Sequence, residues 1–355
     1  MIKGTKMMKQ FSIKKSVFSL TEWRRWILIL AVFLFAVQGL SAQRKITLKM
    51  ASPVPENTAW GEGLNKLASE WSRITNGEVE VKIYHNGVAG NENEVLRNLK
   101  LNQIQMAALS TFGIYDITPE IMTLSFPFLI RTNAELDIVL EELKPELERK
   151  INAKGFYPIA WCRVGWVKIF SKAPVFTPAD MKRQKLGTNV EQMELNQAFK
   201  TMGFQMIPVA RNDILIALNG GMVDAVYESP LAVGSFQIFG LAKYMASINI
   251  APFMGGIIVN QRAWRSIPDK YKPQLIEASK KIEKELDGAI DNLENEMIKV
   301  MANYGLVVNK LTPAQEQMWY DEIGSVLPKL VGTAFDRDTY NRIEAILRKY
   351  RSGVK

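Results

Sequence analysis

The sequence predicts an α/β fold of two domains, with hinge crossings between them and one long helix running along both. Three observations carry that prediction. Strand-period and helix-period stretches alternate as βαβαβ from residue 46 to 110, and a second alternation runs from about 164 to 252. From Pro273 to Tyr304 an apolar stripe then repeats every three or four residues without a break.

The first unit opens with KITLKMAS, where Ile46, Leu48 and Met50 alternate with polar neighbours, the period of a half-buried strand. Leu64, Leu67, Ala68 and Trp71 fall at i, i+3, i+4 and i+7 of a helix that Asn76-Gly77 stops before a second strand, EVEVKIY. NENEVLRNLKLNQ places Val95, Leu96 and Leu99 on one helical face, and IQMAALS is a short apolar strand. Helices between successive strands favour a parallel sheet. Thr132 with Glu135 forms a capping box for AELDIVLEELKPELERK, in which Pro145 should bend or interrupt the helix.

In the second unit Thr177-Pro178 caps a short helix, KLGTN is a strand, and Leu195, Ala198, Phe199 and Met202 share a helix face. QMIPV is the next strand, NDILIALNGG a helix closed by glycine, and MVDAVYES another strand. The long stripe of Ile282, Leu286, Ile290, Leu293, Met297 and Met301 implies a helix of about 45 Å, longer than one domain of this size is wide. A coiled-coil dimer competes with that reading, but about three heptads without an e/g charge pattern argue against it. Thr312-Pro313 with Gln315 caps a further helix, and the chain ends in YNRIEAILRKYRSGVK. The expected boundaries are a leader over 1–42, a first domain over 43–163 with 253–270, and a second over 164–252. The long helix takes 271–305 and C-terminal helices 306–355.

The leader combines seven basic residues with the apolar run WILILAVFLFAV and then QGLSA, the layout of a secretory signal with cleavage expected near Ala42. A retained membrane anchor is the alternative, although the run is shorter than the roughly 20 residues a spanning helix needs. Removing its seven basic residues and one acidic residue takes the formal charge from +9 to about +3. No basic cluster interleaved with aromatics is left, which argues against nucleic acid as a partner.

Catalytic chemistry is sparse. His85 is the sole histidine, in the turn YHNGVAG, so a histidine-based triad has to use His85 itself and no second histidine is left for a metal site. Cys162, the sole cysteine, sits in the apolar run PIAWC and reads as a buried small residue. GEGLNK lies inside a helix with its own apolar stripe and fails the dinucleotide fingerprint at its last glycine. Glu92 and Glu94 are explained by a solvated helix start. Neither catalysis, a cofactor nor a metal is expected.

An exported, non-catalytic chain of two α/β domains describes a protein that closes on a solute by hinge motion. NGVAGNENEVLRNLKLNQIQMA, LSFPFL, SKAPVFTPADMKRQKLGTN, MGFQMIPVARNDILIALNGGMVDAVYESPL and IIVNQRAWRSIP, in that order, resemble the matching segments of the DctP-type receptors of TRAP transporters. The resemblance runs over about 45–330 and implies the two-domain periplasmic solute-binding fold. It also implies capture of an organic acid between the domains and delivery to a membrane permease driven by an ion gradient.

In that family the main anchor is an arginine in a strand reading Lys-Ile-Arg-Val, which holds the solute carboxylate in bidentate fashion. The matching residues here are Lys185, Leu186, Gly187 and Thr188, so the arginine position is Gly187. A second family arginine falls, by register with SKAPV, on Trp166. The turn after Asp224 also departs, with one residue more before Pro230, leaving open whether Tyr227, Glu228 or Ser229 faces the cleft.

With both cations missing, the sequence reading is an apolar or amphipathic solute in a cleft lined by Gly187, Trp166, Trp60, Tyr227 and Phe253, with Trp161 and Met254 as neighbours. Glu228 and Asn189 complete the candidates. Lys168, Arg163 or Arg211 could instead supply a relocated charge, keeping an acid as ligand. The chain also resembles the family variant that works with a tetratricopeptide-repeat lipoprotein. A sensor or hydrophobic-ligand chaperone is the competing class, and an exported hydrolase the third.

Overall fold

The computed structural model describes residues 45–189, 193–210 and 213–353. The leader read over 1–42 and Arg211 lie outside the described residues, as does the side chain of Asn189. In chain order come β1 (Ile46–Ala51), α1 (Ala59–Ile74), β2 (Val79–Tyr84), α2 (Glu92–Lys100) and β3 (Met106–Ser110). The sheet order β2-β1-β3, parallel throughout, is the predicted βαβαβ unit. Helix α1 forms because Thr58 accepts from the Gly61 amide at its start and because Leu64, Leu67 and Trp71 share one buried face.

After α3 (Thr111–Tyr115) and a 3-10 segment over Pro119–Ser125 comes α4 (Asn133–Ala153), which contains Pro145 without interruption. Of the bend or interruption expected at Pro145, the interruption does not occur: Leu143, Leu147 and Ile151 bury on both sides of the proline and hold the helix through the lost hydrogen bond. The capping box is also altered. Thr132 accepts from the Glu135 amide, but the Glu135 carboxylate turns to the amide of Arg131.

The second lobe follows as β4 (Phe156–Ser171), α5 (Pro178–Lys182), β5 (Lys185–Asn189), α6 (Met193–Thr201), β6 (Gln205–Val209), α7 (Ile214–Asn219), β7 (Ala225–Glu228), α8 (Pro230–Ser235) and β8 (Tyr244–Ala246). The chain then returns through β9 (Ala251–Asn260) and α9 (Gln261–Ser266) to α10 (Lys272–Asn303) and β10 (Val307–Asn309). It closes with α11 (Pro313–Gly324), α12 (Leu327–Leu330) and α13 (Arg337–Arg351). The main path of strands reads β2-β1-β3-β9-β4-β7-β5-β6, with β8 on β4 and β10 on β8.

One strand serves both lobes. Residues 156–167 of β4 run antiparallel to β9, and 168–171 run antiparallel to β7. Helix α10 packs on α1, on β4 and on α8, so it spans both lobes, and its 32 residues make it about 48 Å long. It is fastened to β4 by carboxylates. Glu283 accepts from the Trp161 amide at 3.0 Å, Asp287 from the Arg163 amide at 2.9 Å, and Glu294 from the Trp166 amide at 3.0 Å. The spacing i, i+4, i+11 puts all three on one helix face. Pairing of β4 with β9 slips between Arg163 and Gly165, where Gly165 has φ +123° and a Cβ would collide with the Glu294 carboxylate.

Candidate functional site

The two-residue period of β5 decides which side chains can reach a ligand. Leu186 and Thr188 point to one face, where they join Met206, Ile169 and Tyr227 from neighbouring strands around a narrow cavity of about 30 Å³. Its other walls are Phe128, Phe199, Phe204, Ile250 and Trp319. The lining is apolar apart from two hydroxyls. Thr188 Oγ1 is buried without a hydrogen-bond partner, and burial pushes the phenol of Tyr227 well above its usual range.

Gly187 points the other way. A Cβ there would meet Ile214 Cδ1 at 3.1 Å and Val223 Cγ1 at 3.3 Å, both in the packing behind the sheet. No open volume lies beside Gly187 in this conformation. Its space is taken by α7, and the cavity belongs to its two neighbours in sequence.

The remaining candidates separate as well. Trp166 is buried and tied at both nitrogens, its amide to Glu294 and its indole to Asn133 Oδ1 at 2.8 Å, and it is not among the residues lining this cavity. Phe253 packs on Phe112 with ring centroids 5.6 Å apart, and Met254 is core. Trp60 sits on α1 with its indole nitrogen buried and unpartnered, apart from the cavity. Trp161 donates its indole N–H to Glu148 at 3.0 Å. Of the aromatic candidates only Tyr227 lines the cavity.

Among the charged candidates, Arg163 is held between Asp137 and Asp287 at 3.6 and 3.9 Å. Lys168 is 8% exposed and donates to Asn249 Oδ1 at 2.6 Å and to the Ser247 carbonyl at 3.2 Å. Burial lowers its pKa to about 8, against the raising pull of Glu294 and Glu316. Glu228 lies opposite Lys168 in the β4–β7 register. Glu294 itself is pushed up to about 7 by burial, partly offset by the Trp166 amide and Lys168. Burial also raises the Cys162 thiol well above its usual range, consistent with an inert side chain.

A second, polar pocket of about 490 Å³ adjoins this region, with Arg131, Glu135, Asn249, Glu316, Tyr320 and Arg351 among its walls. Sequence reasoning passed over Phe128, Trp319 and Arg131. The LSFPFL motif contains Phe128, but nothing in its residue types shows which phenylalanine faces inward, and Trp319 lies 130 residues beyond the end of β5.

These features match known proteins. The family model DctP, bacterial extracellular solute-binding protein family 7, matches residues 50–332. The chain belongs to that family. A solute-binding protein of Verminephrobacter eiseniae is 29% identical over 195 residues, an alignment covering 54% of this chain and 58% of that protein, little more than half its length. The 2,3-diketo-L-gulonate-binding periplasmic protein YiaO of Escherichia coli is 22% identical over 82% of this chain and 88% of its own. The crystal structure of a TRAP periplasmic solute-binding protein from Sulfurospirillum deleyianum with bound succinate superposes with TM-score 0.77 at 23% identity, covering 85% of this chain and 99% of that one. The DctP chain is thus a solute receptor and not an enzyme. Among the described residues no helix is long and apolar enough to cross a membrane.

Proposed function

We propose that this DctP-family chain is the periplasmic receptor of a TRAP-type importer for an apolar or amphipathic solute, which it carries to the membrane permease. The observation that supports the reading is the cavity between Leu186, Thr188, Tyr227, Phe128 and Trp319, which has no charged residue in its walls. A carboxylate buried there without a cation would cost several kcal/mol, on the order of 2–7 even for a neutral polar group left unpaired. The unpartnered Thr188 hydroxyl gives a solute one hydrogen-bonding point inside the apolar slot. Met181 and Met206 in the wall are flexible enough to let the slot widen for an extended chain.

Hinge movement about β4 and β9, with boundaries near 163 and 252, admits the solute, and the closed form presents the surface the permease reads. Residues 1–42 direct export and are cleaved near Ala42. A tetratricopeptide-repeat lipoprotein is a candidate further partner that would pass the solute on. The alternative, an organic-acid receptor with a relocated cation, draws on the succinate and diketogulonate named for the relatives.

Solvent extraction of the purified protein followed by mass spectrometry separates the two, with a Leu186→Trp variant prepared identically. A lipid-like molecule retained by the parent and lost from the variant supports the apolar cavity. A small dicarboxylate or sugar acid held equally by both sinks it.

A further inference from the structure

The apolar cavity and the polar pocket share a wall. Phe128 lines the cavity, and its ring meets the Tyr320 ring edge-on at 5.5 Å, while Tyr320 lines the polar pocket. The chain also passes directly from one to the other at Asn249-Ile250 and at Trp319-Tyr320. Phe128 stands in the left-handed region with φ +62°, an outlier for a bulky side chain, held by its amide's 2.7 Å bond to the Ile250 carbonyl. Such strain persists only where surrounding structure over-determines it, and it gathers at ligand clamps. Here it falls on a ring in the wall between the two compartments.

Arg131 stands across that wall. Its Cζ lies 4.0 Å from the Tyr320 ring centroid, and its Nε donates to the Phe128 carbonyl at 3.2 Å. Among the described residues no hydrogen bond or ion pair engages its two terminal nitrogens. The nearby Glu135 is already committed, since its two oxygens accept from Arg351 at 2.8 and 2.9 Å and one also takes the Arg131 amide. The Lys168 ammonium is held by Ser247 and Asn249, two more residues of the pocket wall, through neutral acceptors alone. Glu316 is the other carboxylate in the pocket wall, and with Glu135 and Arg351 engaged in their own ion pair, Arg131 is the cation of that wall left to face it.

We propose that Arg131 is the head-group anchor of an amphipathic carboxylate whose chain occupies the apolar cavity, with Phe128 and Tyr320 marking the boundary between head and tail. The proposal rests on the apolar-cavity reading and narrows its solute to a monoanionic acid with a long apolar tail. The free fork of the guanidinium matches a carboxylate bidentately, and the stacked Tyr320 ring holds it in plane. The anionic head stays in the roomy polar pocket, so its desolvation is partial, while the tail takes the dry slot, which at about 30 Å³ must widen at Met181 and Met206 to admit it.

Calorimetric titration with decanoate and with decanol at pH 8, using the exported chain, tests this. The parent should bind decanoate at least tenfold more tightly than decanol. Arg131→Met should abolish that preference and leave decanol within twofold of its parent value, while Leu186→Trp should weaken both. Equal affinities in the parent, or an acid preference that survives Arg131→Met, overturns the anchor and leaves the apolar cavity standing. If the parent binds neither probe, the apolar-cavity reading falls and the anchor with it. If Arg131→Met binds neither probe although the parent binds both, Arg131→Lys decides. Loss of most of the acid preference with decanol binding kept supports the anchor, and an unchanged preference overturns it.

Discussion

Replacing Glu294 by glutamine should remove a pH dependence of stability that runs against the usual behaviour of carboxylates. The Glu294 side chain is 6% exposed. Burial raises its pKa from an ordinary 4.5 to about 7, so the folded protein holds its proton more tightly than the unfolded chain does. A raised carboxylate favours the fold fully below its unfolded pKa, and that contribution is lost as pH rises through the folded value. The shift corresponds to about 3 kcal/mol between pH 4.5 and pH 7, at 1.36 kcal/mol per pKa unit. Lys168 acts on the other side: lowered from 10.5 to about 8, it costs stability as pH falls toward 8 and regains it as pH climbs to 10.5. The parent should therefore show a stability minimum near pH 7 to 8. Glutamine keeps the acceptor for the Trp166 amide and the shape beside Gly165 but has no proton to lose. Urea unfolding at half-unit steps from pH 5 to pH 9 should show the falling limb flattened in Glu294→Gln and the rising limb above pH 8 retained. Equal slopes from pH 5 to pH 7 in both proteins would refute the reasoning.

Other substitutions probe the framework and the site. Gly187→Arg should lose on the order of 2 kcal/mol, because its side chain starts among Ile214 and Val223, and it should leave decanol affinity unchanged. Tight succinate binding gained by that variant would show that the position faces the solute after all. Arg351→Met should lose about 2 kcal/mol, measured by urea unfolding, since it strips a buried Glu135 of its bidentate partner while Arg351 is itself a third exposed. Trp71→Ala, fully buried and bonded to Ser279 at 3.1 Å, should cost about 4 kcal/mol; a loss below 1 would mean that α1 and α10 repack freely.

The order of strands and helices was legible because each period in the sequence is a local property. Ile46, Leu48 and Met50 announce β1 without reference to anything distant, and Thr312 with Gln315 forms the capping box that its spacing implies. Pro145 does not interrupt its helix, because the local rule is overridden by long-range packing. The site was less legible for a reason visible in β5. Register pointed to KLGTN and placed the family's arginine position at Gly187, while the strand period gives the cavity described here to Leu186 and Thr188. Knowing which face is inward requires knowing that α7 covers one side and α11 the other, and neither helix carries a mark of its destination. Trp166 shows the same limit: its indole and amide are both spent on protein partners, Asn133 and Glu294, that are distant in sequence.

The loss of a cation at Gly187 and its presence at Arg131 are consistent as one arrangement. An arginine at Gly187 would start out behind the sheet in this conformation, against Ile214 and Val223. Arg131 instead sits at the head of α4, with its charge facing a wet pocket and its flank on Tyr320. A receptor built this way can keep its solute slot dry, because the charge that selects an acid stands outside it. The geometry then favours acids with one charged end. A dicarboxylate would leave its second anion among Leu186, Phe199 and Trp319, with only the Thr188 and Tyr227 hydroxyls to meet it.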